Sequence, residues 1–409
     1  MSADFSRRRF LEGLGVAAGA SAAVAAQTSS AHAIGLERSS EPPAKPPLQS
    51  AIVPFDGEHQ AGIDTEIQSH LWLISFDIKE DVGRERIRNL MRMWTDDARR
   101  MASGSASRTD LAPELLLAPA NLTITVGFGE GFFEAIDKES QRPEWLEDLP
   151  AYDTDELRPE WSGGDIVLQM CADDKVTLAH AARNMIRNAA SYLDVRWVQV
   201  GFQHAGGARQ PGQTPRNLFG QKDGTVNPRT AREFTDQVWI DSGPEWLRGG
   251  SAMVVRRIEM DMDGWDVLDR KSRTEITGRE IDTGAPVGGK DEFETVNLDA
   301  TDSFGLPVTD PQSHVARAMP PKDAPHQKLL RRVYNYDLPP EPEGRFTSNT
   351  GLVFICYQKD PLKQFHPIQL RLSESDRLNQ WIFHIGSAVF VMPGGTEDDE
   401  YWAQSLLAD

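Results

Sequence analysis

Apolar residues in this chain repeat with two periods, one typical of strands and one typical of helices, and the two periods alternate in a fixed order. The pattern predicts four strands in the first half, at residues 69–78, 121–128, 165–172 and 195–202. It predicts two helices between them, with apolar faces formed by Ile87, Leu90, Met91 and Trp94 and by Ala182, Met185, Ile186 and Ala189. The resulting order, β-α-β-β-α-β, is that of a ferredoxin-like unit.

The second half of the chain repeats this order in pattern, although not in sequence. Strands are predicted at residues 252–260, 331–337, 351–358 and 387–393, and helices within 262–273 and 361–383, the latter with Leu370, Leu378 and Trp381. We therefore predict an α+β fold in which two ferredoxin-like units pack into one compact body, with antiparallel sheets and the helices outside. The predicted bounds are 61–215 and 216–409. A long irregular connection at 275–330 interrupts the second unit, and connections of this length are usually functional or disordered.

The N-terminus has the three parts of an export signal in order. The run SRRRFL (residues 6–11) is followed by a mildly apolar stretch rich in glycine and alanine, and then by AHA (residues 31–33), an A-x-A site for signal peptidase. Paired arginines ahead of a weakly apolar segment are typical of a twin-arginine signal. We predict a signal peptide at residues 1–33, an extended linker at 34–60, and an exported protein that is periplasmic or extracellular.

Charge and cysteine content exclude several classes of protein. The formal net charge of −19 argues against nucleic acid or anionic lipid as the main partner. Apart from the alanine-rich N-terminus, no apolar run is long enough to span a bilayer. The two cysteines, Cys171 and Cys356, lie in apolar runs and are predicted to be buried free thiols.

An acid lies between a lysine and a glycine in the turn-prone stretch FGQKDGTVNP, residues 219–228. Gly220 and Gly224 permit backbone angles that other residues avoid, and Asn227-Pro228 closes the segment. Taken alone, Asp223 is best interpreted as a surface residue that caps a turn. The other interpretation is an acid held rigidly at the edge of a pocket, and only the rest of the chain can decide between them.

Several histidines and arginines in the second half are ambiguous when taken singly. His314 stands in SHVARAMP, where a lone histidine is more often a satisfied polar residue than a metal ligand. Arg331 and Arg332 begin a predicted strand, whose alternation sends the two guanidinium groups to opposite faces, so only one can enter a given pocket. His366 and His384, in or near the predicted last helix, are assigned to core packing or to hydrogen bonds around a site.

Taken together, these segments resemble the dye-decolourising peroxidases in content and order, over residues 60–400. The motifs that carry the resemblance are FGQKDG with Asp223, SHVARAMP with His314, LLRRVYNYD with Arg331, and the segments 126–133, 357–372 and 378–395. The resemblance is greatest to the exported branch, which carries twin-arginine signals and includes the deferrochelatases. Each motif alone is weak, but their combination is specific.

The resemblance implies one non-covalent haem b per chain, held mainly by the second unit. It implies that Asp223 is the distal acid and that His314 is the proximal axial ligand of the haem iron. Arg331 is implied as the distal arginine, and it is preferred to Arg332 only because it is the first arginine of the motif. Gly224 would let the backbone approach the porphyrin closely.

Two further positions are less well defined by the resemblance. Arg317 is assigned to a haem propionate, with Lys322 as a second candidate, and the alternative for both is a simple surface charge. Val333 stands where some members of the family have an asparagine, so no third polar distal group is assigned.

Two functions agree with these residues. The first is a haem peroxidase that uses hydrogen peroxide to oxidise dyes, phenols or other reductants. The alternative is a deferrochelatase-like protein of iron acquisition that releases iron from haem or carries haem. A pure carrier does not need both Asp223 and Arg331 around an open iron site, which favours the first function.

The expected partners follow from these two functions. They are hydrogen peroxide, a small-molecule reductant and the twin-arginine export machinery, together with iron-uptake components if the alternative holds. Neither nucleic acid nor a membrane span is expected, and a homo-oligomer is left open.

Overall fold

Two antiparallel sheets, one from each half of the chain, form the centre of the protein. A computed structural model describes residues 51–116, 118–210 and 212–408. The strands are β1 (His70–Ile78), β2 (Thr123–Phe128), β3 (Ile166–Ala172), β4 (Leu193–Phe202), β5 (Ser251–Met260), β6 (Leu330–Arg331), β7 (Tyr334–Leu338), β8 (Asn349–Gln358) and β9 (Ile382–Met392). The helices are α1 (Arg84–Ala102), α2 (Glu130–Ala135), α3 (Lys175–Ala189), α4 (Ala231–Gln237), α5 (Met262–Asp266), α6 (Arg270–Thr277), α7 (His314–Ala318), α8 (Phe365–Ser375) and α9 (Gln404–Leu407).

The first sheet has the strand order β2-β3-β1-β4, and all of its pairings are antiparallel. The predicted apolar face of α1 is fully buried, as is most of that of α3, where Ile186 is only partly buried. The two helices contact each other, and the indole Nε1 of Trp94 donates to the carbonyl of Met185 at 3.0 Å. Burial of both faces explains why these segments are helical, since an amphipathic helix gains most of its stability from packing.

The second sheet repeats this order, as β7-β8-β5-β9, because its second, third, first and fourth long strands follow one another across the sheet. The short strand β6 lies on the same edge of β8 as β7. Single residue pairs join the two sheets at both sides, Phe128 with Val391 and Phe202 with Asn335. Because β5 also pairs with β8, the eight long strands close into a ring. Apolar side chains from both sheets fill its interior, among them Tyr357 and Phe390. The predicted α+β fold with two ferredoxin-like halves is confirmed.

Three predicted elements differ in detail. The predicted strand 331–337 is interrupted at 332–333, although β6 and β7 keep one register on β8. Residues 262–273 form two short helices, because Asp269 accepts a hydrogen bond from the backbone N–H of Ser272 and caps a new helix there. The predicted helix within 361–383 ends at Ser375, so Leu378 and Trp381 lie beyond it, and Leu370 on α8 is 43% exposed.

Both cysteines are free and buried, as predicted. Cys171 lies on β3 inside the ring, and Cys356 lies on β8 opposite Arg331. Burial raises the pKa of each thiol.

The predicted signal peptide and residues 34–50 of the predicted linker lie outside the described residues. Residues 51–60 pack against the body: Asp56 pairs with Arg99, and the ring of His59 stacks on Trp239 at 3.8 Å between centroids. Among the described residues, none of the helices combines the length and apolar character that crossing a membrane requires.

Candidate active site

Asp223 lies in a turn-rich loop, residues 212–230, between β4 and α4. Its backbone N–H donates to the carbonyl of Pro215 at 2.9 Å, and the next residue, Gly224, has φ +118°, a conformation that favours glycine. The Asp223 side chain is 9% exposed. Its Oδ2 accepts a long hydrogen bond of 3.4 Å from the side-chain amide of Asn217, and its Oδ1 lies 3.2 Å from Nη1 of Arg331. The carboxylate therefore makes side-chain contacts instead of capping a turn.

Arg331 and Arg332 point to opposite sides of their strand, as alternation requires. Arg331 reaches Asp223, whereas Arg332 is 4% exposed and donates to the carbonyl of Thr65 and to Oε1 of Gln68. The structure thus distinguishes between two arginines that the sequence alone could not tell apart, and Arg331 is the one that lies beside Asp223.

His314 is the first residue of α7, and its position is fixed by a buried acid. Nδ1 of His314 lies 2.6 Å from Oδ2 of Asp376, a carboxylate side chain that is 1% exposed. The other oxygen, Oδ1, accepts from the backbone N–H of Leu378 at 2.9 Å. Because a carboxylate only accepts, Nδ1 of His314 carries the proton in this contact, and the lone pair is left on Nε2.

The charges that act on the His314 ring include those of Asp223 and Arg331. Partial burial disfavours the charged imidazole, but the charge of Asp376 and its hydrogen bond outweigh burial and raise the pKa of His314. Arg331 lowers this pKa and Asp223 raises it, so both charges lie close enough to act on the ring. These three predicted site residues therefore share one region of the molecule.

Arg317 and Lys322, the two residues predicted to contact a haem propionate, each pair with an acidic side chain in this structure. Arg317 ties α7 to α8, because its Nη2 contacts Oε2 of Glu374 at 3.0 Å and its Nε donates to the carbonyl of Arg371 at 3.1 Å. Lys322 is a surface residue, with a side chain 93% exposed and paired with Asp299.

Glu292, in the long connection, anchors that segment to the loop of Asp223. Its carboxylate accepts from Lys222 and, at 3.0 Å, from the hydroxyl of Thr225. Burial alone would raise the pKa of Glu292, but the hydrogen bonds from Lys222, Thr214 and Thr225 outweigh burial and lower it. This part of the connection is therefore ordered against the candidate site.

His366 is the second residue of α8, and His384 lies on β9. Nδ1 of His366 is 2.9 Å from the hydroxyl of Tyr152. His384 belongs to β9 and not to a helix, and burial, assisted by Arg256 and His314, holds its pKa well below the usual range. Its Nδ1 has no hydrogen-bond partner within the described parts of the chain.

Two residues that shape the site were missed by the sequence analysis. Asp376 stands at a helix end, a position typical of a capping residue, and nothing in its local sequence indicates a partner 62 residues away. Glu292 lies in an acidic stretch where one carboxylate cannot be told from the next. In both cases only the tertiary contact shows that the residue shapes the site.

The residues present fit a haem group. A haem iron takes one strong axial ligand, and His314 offers a free Nε2 on a ring whose Nδ1 is held by a carboxylate. Oδ1 of Asp223 is buried without a well-oriented hydrogen bond in the region that the structure describes. No group of three or more His, Cys, Asp or Glu side chains in that region is arranged to hold a bare metal ion.

Comparison with known proteins agrees with this site. The family model described as Dyp-type peroxidase, N-terminal, matches residues 60–203, and that described as Dyp-type peroxidase, C-terminal, matches residues 214–397. A dye-decolorizing peroxidase of Thermobifida fusca is 37% identical over 98% of this chain and 97% of its own length. A deferrochelatase of Shigella flexneri is 33% identical over 98% of this chain and 97% of its own. The crystal structure of a DyP-type peroxidase from Cellulomonas bogoriensis matches with a TM-score of 0.84 and 44% identity, covering 88% of this chain and 99% of that one.

Fold and sequence thus define a haem-dependent peroxidase at the level of the family. The chain belongs to the Dyp-type peroxidase family, whose cofactor is haem b. The resemblance predicted from the motifs is confirmed, as is the prediction of an enzyme.

Gly224→Ala tests the backbone beside the acid. The φ of +118° is strained for alanine, and the added methyl carbon would lie 3.3 Å from Nδ2 of Asn227. Strain of this kind costs about 1–3 kcal/mol, so we expect a lower melting temperature in thermal unfolding. Gly206→Ala, in open space, is the control and should leave the melting temperature unchanged. Equal stability of the two variants would contradict the strain.

Glu292→Gln tests the anchor of the long connection. Removing one partner of a buried ion pair destabilises by on the order of 3 kcal/mol, so the melting temperature should fall at neutral pH. Because the folded-state pKa of Glu292 is lowered, its stabilisation is present above the ordinary glutamate pKa of about 4.3 and is lost as the pH falls further. The difference from wild type should therefore shrink in acid. A constant difference, or an equal effect of Glu294→Gln at an exposed neighbour, would disprove the anchor.

Proposed function

We propose that this protein is a haem peroxidase that uses hydrogen peroxide to oxidise dyes, phenols or other reductants. The observation that carries the proposal is the contact between the buried Asp223 carboxylate and Arg331, at 3.2 Å, in the same region as His314. An acid–base group, a permanent positive charge and an available imidazole are the three parts that a haem peroxidase requires.

His314 is proposed as the axial ligand, and Asp376 orients it. When bound, haem b supplies an iron centre that passes electrons from the reductant to peroxide. The Asp376 carboxylate holds the proton on Nδ1 and so directs the Nε2 lone pair to the metal. A hydrogen-bonded carboxylate also makes the imidazole a stronger donor.

Asp223 is proposed to move a proton. Cleavage of hydrogen peroxide with water as a product requires a proton to leave one oxygen and reach the other. The Asp223 carboxylate can accept that proton and return it, directly or through one water molecule. Its burial keeps the carboxylate away from bulk solvent, which would otherwise compete for the same hydrogen bonds.

Arg331 is proposed to stabilise the charge that develops when the oxygen–oxygen bond breaks. Its guanidinium group is a positive charge already placed beside Asp223. A fixed charge aimed at a developing anion lowers the barrier without the cost of reorganising solvent.

Gly224 and Arg317 are proposed as contacts of the cofactor. The conformation of Gly224 turns the backbone directly after the acid, where a side chain would add bulk. Arg317 lies three residues after His314 on α7, and its guanidinium group, which contacts Glu374, is proposed as the partner of a propionate.

A second function is favoured by the deferrochelatase of Shigella flexneri, which matches nearly the whole chain. In this alternative the protein releases iron from haem or carries haem, and iron-uptake components are its partners. Incubating the haem-loaded protein with a chromogenic iron chelator separates the two functions. Release of iron together with fluorescent metal-free porphyrin would favour the alternative, and intact haem would favour the peroxidase.

We further propose that the chain is exported by the twin-arginine pathway to the periplasm or the extracellular space. The support is the SRRRFL run and the AHA site of residues 1–33, which lie outside the described residues. Replacing Arg7 and Arg8 by lysine in the full chain should leave the protein inside the cell. Unchanged export of this variant would contradict the proposal.

Rapid mixing with peroxide tests the role of each site residue. Asp223→Ala and Arg331→Leu should bind haem but change its absorption spectrum slowly after one equivalent of hydrogen peroxide. The loss should be about 100-fold or more for each, as for other acid–base and charge-stabilising groups. His314→Ala should lose the haem absorption band or shift it. A wild type that binds haem tightly yet hardly reacts would overturn the peroxidase.

A further inference from the structure

The outer edge of β6 is completed by a side chain. One edge of this short strand faces β8, where the backbone N–H of Arg332 donates to the carbonyl of Ile355 at 2.8 Å. On the other edge the backbone of Arg331 meets the side chain of Asn227. Oδ1 of Asn227 accepts from the Arg331 N–H at 3.0 Å, and Nδ2 donates to the Arg331 carbonyl at 2.7 Å. The carboxamide thus takes the place of a peptide group in a neighbouring strand.

The same loop carries the acid. Asn227 follows Asp223 by four residues, and its backbone N–H donates to the carbonyl of Gly224 at 3.0 Å, which closes a turn between the two side chains. The loop therefore contacts Arg331 twice: Asn227 binds its backbone, and Asp223 lies beside its guanidinium group.

The ion pair alone does not define this geometry. Oδ1 of Asp223 lies 3.2 Å from Nη1 of Arg331 but accepts no well-oriented hydrogen bond, and the Arg331 side chain is 21% exposed. A long side chain held only by such a contact keeps much of its freedom. The two hydrogen bonds of Asn227 fix the point from which that side chain extends.

We propose that Asn227 is a positioning residue for the reaction, because it sets the distance between the Asp223 carboxylate and the Arg331 guanidinium group. The inference rests on the proposed function of that pair. Asn227 acts through the backbone of Arg331 and needs no contact with peroxide or haem.

The chain contains a matched control for this arrangement. Gln60 binds the backbone of Val126 on β2 in the same way: Nε2 donates to its carbonyl at 3.0 Å, and Oε1 accepts from its N–H at 2.9 Å. Nε2 of Gln60 also donates to the carbonyl of Pro393 at 3.0 Å. Gln60→Ala therefore removes an equivalent pair of hydrogen bonds, and one more, at a strand that carries neither Asp223 nor Arg331.

The experiment compares haem-loaded wild type with Asn227→Ala, Asn227→Ser and Gln60→Ala, at a temperature where all are folded. It measures the second-order rate constant with hydrogen peroxide, the KM for the reductant, and hydrogen exchange in a peptide covering residues 330–332. Asn227→Ala should lower the rate constant by about 10-fold or more, since misplacement by 1 Å can cost about 100-fold. It should speed exchange at Arg331 and leave the KM for the reductant unchanged. Asn227→Ser should fall between, and Gln60→Ala should match wild type.

Three results would overturn the inference. One is an Asn227→Ala rate constant within twofold of wild type, and another is an equal loss in Gln60→Ala, which would indicate general destabilisation. If Asn227→Ala does not fold, Asn227→Ser decides by the same criteria. The third is a wild type that reacts no faster than Asp223→Ala. Then the proposed function itself fails and the inference falls with it, whereas in the first two cases the wild type is fast.

Discussion

β8 pairs with β5 along one edge and with β6 and β7 along the other, and the position of Arg331 in the candidate site depends on this ladder. The register on β8 places Arg331 opposite Cys356 and Tyr334 opposite Val353, so a single continuous alignment carries both Arg331 and the buried Tyr334. The other edge of β7, which faces away from β8, meets β4 of the first half at Asn335. Backbone pairing thus ties the Arg331 segment to both sheets. His314 on α7 meets Asp376, which directly follows α8, where these two helices contact each other.

The regular parts of this architecture were predictable because they follow from periodicity. The faces of α1 and α3 and the order of strands and helices along the chain all depend on which residues can leave water together. Predictions were wrong where a local hydrogen bond overrides the period. Asp269 starts a second helix, and Asp376 ends the segment predicted as one long helix. Such caps depend on the conformation of one side chain and its hydrogen bond to the backbone, and the spacing of apolar residues carries no information about either.

The site was predictable only in part, for a related reason. The resemblance named Asp223, His314 and Arg331, and strand alternation predicted that the two arginines would diverge. The residues that hold these groups act across 62 to 104 positions of sequence, as with Asp376 on His314 and Asn227 on Arg331. A single sequence carries no signal for contacts of this separation, because any polar residue at a turn fits the local pattern equally well.

The two buried thiols have a consequence for a protein that handles peroxide. Oxidation by peroxide begins from the thiolate, and burial raises the pKa of both Cys171 and Cys356. Neither sulfur is accessible to solvent. Both thiols are therefore kept protonated and enclosed. An oxidant in solution would react with more accessible groups before it reached the sulfur atoms of Cys171 and Cys356.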